Sequence, residues 1–182
     1  MVVLSDWSME TKSDGSAKEI IYIDGGHHGN EYLGTALAWL TAKWYINEWN
    51  AQNEESITVL QSTELHILIM LNPDGNDADT RHNLNITTAA NPFVSEPVPT
   101  GIDLNRNYDH FWDDCSPSDP FAPGGGPFSE PETRANADYM NSVVQDADLY
   151  VTMHTGVWIM LFPWGKWPQH PPDWELFHGI RE

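Results

Sequence analysis

Basic residues are scarce in this 182-residue chain: eight lysines and arginines stand against 27 aspartates and glutamates, a formal net charge of −19. Such a surface repels the phosphates of nucleic acid and of anionic membranes, so neither is an expected partner. Cysteine is scarcer still. Cys115 stands alone, which rules out an internal disulfide and leaves the redox compartment open. Long apolar runs are missing too, and stretches such as residues 67–71 fall far short of the roughly 18 residues a membrane span needs. The first six residues have neither the basic nor the apolar region of a signal peptide, and the compartment is left undetermined.

Hydrophobic residues make up 40% of the chain, a globular composition, and the length suits one domain with a real core. Residues 2–4 and 19–23 read as strands joined by a polar turn. Leu33, Ala36, Leu37, Leu40 and Trp44 fall at helical spacing, so residues 31–50 are expected to form an amphipathic helix with its tryptophans filling the core. The continuous apolar run 65–71 reads as a strand buried on both faces, broken by the turn formers Asn72-Pro73-Asp74-Gly75. A polar, irregular stretch follows to residue 100, of a length that usually carries function, and then a short extended piece at 101–108. Ser129-Glu130-Pro131-Glu132 reads as a capping box opening a helix that packs through Tyr139, Met140, Val143 and Val144. Residues 148–153 and 157–162 read as two more buried strands, with an incipient helix near 174–177. Strands alternating with helices imply an α/β fold with a mixed, largely parallel central sheet and flanking helices.

In such sheets ligands bind beyond the carboxyl ends of strands. There the chain carries Asp24-Gly25-Gly26-His27-His28-Gly29-Asn30-Glu31, where a strand runs into two glycines. His28 and Glu31, three positions apart on one bend, can reach the same ion; zinc takes such nitrogen and oxygen ligands at roughly 2.0–2.2 Å. His154 ends a later strand and supplies a third candidate ligand far along the chain. Three protein ligands leave a fourth position on zinc for water. His27 is out of step with Glu31 and reads as a neighbour, while His82, His110, His170 and His178 lie in loops or the tail.

These residues sit in a longer series of motifs that resembles the zinc carboxypeptidases of the carboxypeptidase A, B and T type. The family's His-x-x-Glu matches His28 and Glu31 in the form His-Gly-Asn-Glu, and its Asn-Pro-Asp-Gly matches residues 72–75. Asp-x-Asn-Arg-Asn matches residues 103–107, and Pro-Phe-Ser-Glu-Pro-Glu-Thr matches 127–133. The strand-end histidine with a following Phe-Pro matches His154 and Phe162-Pro163. Five motifs in order over residues 19–165 carry the resemblance.

The resemblance implies a Zn2+ held by His28, Glu31 and His154, and hydrolysis of the C-terminal peptide bond of peptides or proteins. It also implies that Asn105 and Arg106 bind the substrate's terminal carboxylate, a role that suits a planar guanidinium. Arg81 aligns more loosely with the arginine that polarises the scissile carbonyl. Asn30 and Gly156 depart from residues common in the family. The family domain continues beyond the equivalent of Glu182 with further strands and the general-base glutamate. The chain is therefore expected to be a single carboxypeptidase-like domain, truncated at both ends and by itself inactive. A zinc-dependent deacylase of N-acyl amino acids on the same fold, or a non-catalytic zinc-binding fragment, stand as alternatives.

Overall fold

The computed structural model describes residues 1–85, 101–112, 123–156 and 169–180. The strand expected at 157–162, the Phe162-Pro163 pair, Cys115 and most of the polar stretch before residue 101 lie outside these residues.

Four strands form one sheet: β1 (Val2–Leu4), β2 (Glu19–Gly25), β3 (Thr63–Leu68) and β4 (Leu149–Met153), in the order β1-β3-β2-β4. β2 pairs in parallel with both β3 and β4, and β1 pairs antiparallel to β3. The sheet is thus mixed and largely parallel, with helices beside it. The polar turn after β1 does not make a hairpin with β2, because β3 comes between them.

The strand pleat gives the sheet two unlike faces. Ile21 and Ile23 of β2 stand in register with Leu65 and Ile67 of β3, and these residues join Ala38, Ala42 and Leu60 in the apolar core. On the opposite face Tyr22 is flanked by His66 and Tyr150, and Asp24 by Leu68 and Thr152. β4 is more exposed than its sequence implies: Leu149 and Tyr150 are solvent-accessible among the described residues.

α1 (Tyr32–Asn50) matches the expected span, but it turns the other way. Its buried residues are Gly34, Ala38 and Ala42, whereas Leu33, Leu37, Trp39, Leu40 and Trp44 are exposed. The reason is close approach. A Cβ on Gly25 would lie 2.7 Å from the Gly34 carbonyl oxygen, and one on Gly34 would lie 2.3 Å from that of Met153. Only the small-residue face can sit so near the strand ends, with Tyr45 and Trp49 packing lower down.

α2 (Glu54–Ser62) was not expected; Asn53 caps it by accepting from the Glu55 and Ser56 N–H groups. Asn72-Pro73-Asp74-Gly75 opens a short helix, α3 (Pro73–Asp77), instead of a simple turn, with Asn72 accepting from Gly75 N–H at 2.9 Å. The piece expected to be extended at 101–108 holds a 3-10 turn, Leu104–Arg106. α4 (Pro131–Ser142) starts after Glu130, which has no side-chain capping bond, so the capping-box reading is corrected. Thr133 and Asn136 face inward along α4, Val144 is buried just beyond it, and Val143 is exposed. α5 (Trp174–Ile180) lengthens the incipient helix of the tail. No described helix is long and apolar enough to cross a membrane.

Candidate metal centre

β2 delivers Asp24 at its carboxyl end, and Gly26 then turns the chain with a φ of 74°, a region that favours glycine. A Cβ on Gly29 would lie 2.1 Å from the Gly75 backbone, so this bend is pressed against α3. The bend aims His28 back towards Glu31, which stands immediately before α1. His154 follows β4 directly, and β4 lies beside β2 in the sheet.

Strand adjacency therefore brings together three residues spread over 126 positions. The ligand atoms of His28, Glu31 and His154 all lie within 4.8 Å of one another. His28 Nδ1 is 2.7 Å from Glu31 Oε1, His154 Nδ1 is 2.9 Å from Glu31 Oε2, and the two Nδ1 atoms are 3.2 Å apart. His28 is buried, and Glu31 and His154 are half-buried.

The hydrogen-bond partners test whether this group suits a cation. His28 Nε2 faces Asp103 Oδ1 at 3.1 Å, and Asp103 is fully buried. A carboxylate only accepts, so Asp103 can hold a proton on Nε2 and leave Nδ1, on the side of Glu31, to a cation between them. Two ring nitrogens and a carboxylate thus converge within 4.8 Å, the residue types of a zinc site.

Charge is arranged to match. Burial alone would raise the Glu31 pKa, but the Thr155 N–H at 2.9 Å and the His28 contact outweigh it and hold the carboxyl below its usual range. Burial opposes ionisation of Asp103 as well; the bond from His28 and the positive charges of Arg81 and Arg106 overcome it and bring the pKa down to about 2. His154 is pushed below the ordinary histidine value by burial and by the neighbouring His28 and His27, which favours the neutral ring that ligates metal.

Arg81 lies at the edge of the cluster. Its Nε donates to Asp103 Oδ2 at 3.0 Å, and Nη1 is 3.5 Å from Glu31 Oε1. Asn105 and Arg106 lie in the 3-10 turn after Asp103, whose Oδ1 accepts from the Asn105 N–H at 3.0 Å. Asn107 ties the far side of this turn down: its Nδ2 donates to Pro123 O at 2.8 Å and its Oδ1 accepts from Thr133 Oγ1 at 2.5 Å. Glu130, read from sequence as part of a helix cap, is buried and accepts from Asn83 Nδ2 at 2.7 Å and Asn85 Nδ2 at 2.9 Å. Its backbone N–H donates to Asn107 Oδ1 at 3.2 Å, so Glu130 links Asn83 and Asn85 to the turn that follows Asp103. His82 lies near the cluster, with burial lowering its pKa, and His110 is exposed.

The family model described as zinc carboxypeptidase matches residues 4–182. Carboxypeptidase B of Astacus astacus is 27% identical over 165 residues, covering 88% of this chain and 53% of that protein. Carboxypeptidase O of Homo sapiens is 30% identical over 172 residues, covering 88% of this chain and 45% of its own length. Among solved structures, that of thrombin activatable fibrinolysis inhibitor superposes with a TM-score of 0.70 at 24% identity, over 93% of this chain and 43% of that one. The chain spans about half the length of the curated relatives it matches. With the family model matched from residue 4 to residue 182, the chain belongs to the zinc carboxypeptidase family.

Proposed function

We propose that this chain carries the metal centre and the carboxylate-recognition turn of a zinc-dependent metallocarboxypeptidase that acts on peptides or proteins with a free C-terminus. The observation that supports it most is the convergence of His28 Nδ1, Glu31 and His154 Nδ1 within 4.8 Å, with His28 oriented by a buried carboxylate. Zinc held there would supply a Lewis acid that polarises a carbonyl and lowers the pKa of water.

The protein's own groups have separable tasks in this reading. Asp103 fixes the His28 tautomer and shares its charge with Arg81. Arg106, with Asn105 beside it, grips the terminal carboxylate of the substrate through charge-assisted hydrogen bonds. Arg81, about a third exposed at the cluster's edge, offers N–H donors to a carbonyl oxygen on which negative charge develops. The carboxylates touching the cluster among the described residues are engaged: Glu31 in the ligand group, Asp103 with His28 and Arg81.

Zinc analysis of the purified chain tests the centre. About one zinc per chain is expected, lost in His28→Ala, Glu31→Ala and His154→Ala and kept in His110→Ala; zinc retained by the three ligand variants would overturn the assignment. In peptide hydrolysis, Arg106→Ala should cost on the order of 1.5–3 kcal/mol on peptides with a free C-terminus and leave already poor amidated peptides unchanged. Equal cleavage of free and amidated peptides would remove the carboxypeptidase reading. Turnover of N-acyl amino acids in preference to peptides would make the protein a deacylase.

A further inference from the structure

Two adjacent histidines bracket the turn that carries Asn105 and Arg106. His28 reaches Asp103 immediately before the turn, and His27 reaches Tyr108 just after it, with Nε2 2.8 Å from the hydroxyl. Residues 104–107 are all that separates the two anchors. His28 belongs to the ligand cluster. His27 points elsewhere, although it is only 2% exposed: its Nδ1 is 3.2 Å from Asp24 Oδ1 at the end of β2 and 3.5 Å from Thr152 Oγ1 on β4.

The hydrogen bonds around His27 run in one sense. Thr152 Oγ1 is the hydrogen-bond partner of Nδ1, and Asp24 Oδ1 stands beside it at ion-pair distance. Asn136 Nδ2 donates to the Tyr108 oxygen at 2.9 Å, which leaves the Tyr108 proton to be given to His27 Nε2. Tyr22 in turn donates to Asn136 Oδ1, and Tyr150 donates to Asp24 Oδ2 at 2.6 Å. The His27 ring thus has a partner on each nitrogen and stands between β2 and β4, the two strands ahead of the metal ligands, and Tyr108. The Asn107–Thr133 bond ties the same turn to the start of α4, while the Asp103–His28 and Tyr108–His27 contacts join its two ends to the bend after β2.

We propose that His27 is a positioning residue: through Tyr108 it sets where the Asn105–Arg106 turn stands relative to the metal-ligand cluster, and so the acid-over-amide selectivity of the site. This rests on the reading of Arg106 as a carboxylate clamp. His27 is outside the candidate ligand group, with its ring centroid 5.5 Å from that of His154.

The test uses the zinc-loaded chain with N-acetyl-L-alanine and its C-terminal amide as probes, their binding measured by calorimetry or ligand-detected NMR together with zinc content. The wild type is expected to prefer the acid, and Arg106→Ala to abolish the preference. Tyr108→Phe and His27→Phe should each reduce it about 3–10-fold, the scale of one net hydrogen bond, at unchanged zinc content. The double variant should lose no more than either single one, because both remove the same contact. If His27→Phe does not fold, Tyr108→Phe, which removes a single oxygen, carries the measurement. Selectivity unchanged in Tyr108→Phe while Arg106→Ala abolishes it overturns the role of His27 and leaves the clamp standing. Additive losses in the double variant, or loss of zinc in the single ones, overturn it as well. A wild type with no preference for the acid overturns both the clamp and this proposal.

Discussion

Asp103 divides its two oxygens between two neighbours: Oδ1 stands 3.1 Å from His28 Nε2, and Oδ2 accepts from Arg81 Nε at 3.0 Å. With its pKa brought down to about 2 it is ionised at any working pH, so the tautomer it imposes on His28 does not change there. Asp103→Asn keeps the shape but lets a donor face the His28 N–H. Zinc affinity, measured by competition with a chelator, should then fall about 10–100-fold, as for other partners of metal-ligating histidines. Affinity equal to wild type would mean that Asp103 serves Arg81 alone. The three candidate ligands were legible in the sequence because His28, Glu31 and His154 are ligand types standing just past apolar, strand-like runs. Asp103 was legible only as part of a motif. Its distance of 75 positions from His28 carries no pattern, and the bond exists because the turn at 104–106 folds back onto the β2 bend. His27 was read as a bystander for a related reason: its partners Asp24, Thr152 and Tyr108 come from three separate segments.

α1 shows how an element can be found correctly and still be turned the wrong way. Helical spacing of Leu33, Leu37, Leu40 and Trp44 located the helix, but the stripe of largest residues is not the face that meets the sheet. Gly34, Ala38 and Ala42 are, because Glu31 stands immediately before the helix, whose start must stay close to the β2 and β4 ends for Glu31 to meet His28 and His154. Gly34→Ala should therefore be costly although it raises helix propensity. Its new Cβ would lie 2.3 Å from a backbone oxygen of Met153, so the helix must shift, at roughly 1–3 kcal/mol of stability. The same shift should loosen zinc binding by pulling Glu31 from His154. Leu40→Ser, on the exposed side, should change stability by less than about 0.5 kcal/mol. Urea unfolding of both variants checks this; a stable Gly34→Ala with a damaging Leu40→Ser would mean that the large-residue stripe is the packed face. α2 and α3 were missed for simpler reasons. Each is short, and α3 begins with residues whose usual signal is a turn.

On the scale of the whole molecule the sheet separates two kinds of interior. Aliphatic side chains of all four strands pack under α1 and α2, while Tyr22, Tyr108, His27, Asp24 and Asn136 make a hydrogen-bonded layer towards α4. That second layer gives the fold a dependence on high pH. Burial pushes the phenols of Tyr22 and Tyr108 well above the ordinary tyrosine range, with the negative charge of Asp24 adding to the effect. In the unfolded chain these phenols ionise near pH 10, but in the folded protein they stay protonated past it. A raised folded pKa means that the contribution is fully present below about pH 10 and declines as pH rises through the window above it, by up to about 1.4 kcal/mol per pH unit for each such tyrosine. Self-repulsion of an acidic chain grows over the same range and acts in the same direction, so the two causes need separating. Unfolding midpoints should be measured between pH 8 and 11 in about 0.5 M salt, which screens surface charges but not a buried hydroxyl. Tyr22→Phe removes a titrating group along with its bond to Asn136. It should be less stable than wild type by about 1 kcal/mol at pH 8, and the gap should narrow or reverse as pH rises above 10. A constant gap between the two proteins across that range would show that Tyr22 ionises no later in the fold than in the open chain, and would place the alkaline sensitivity on the surface.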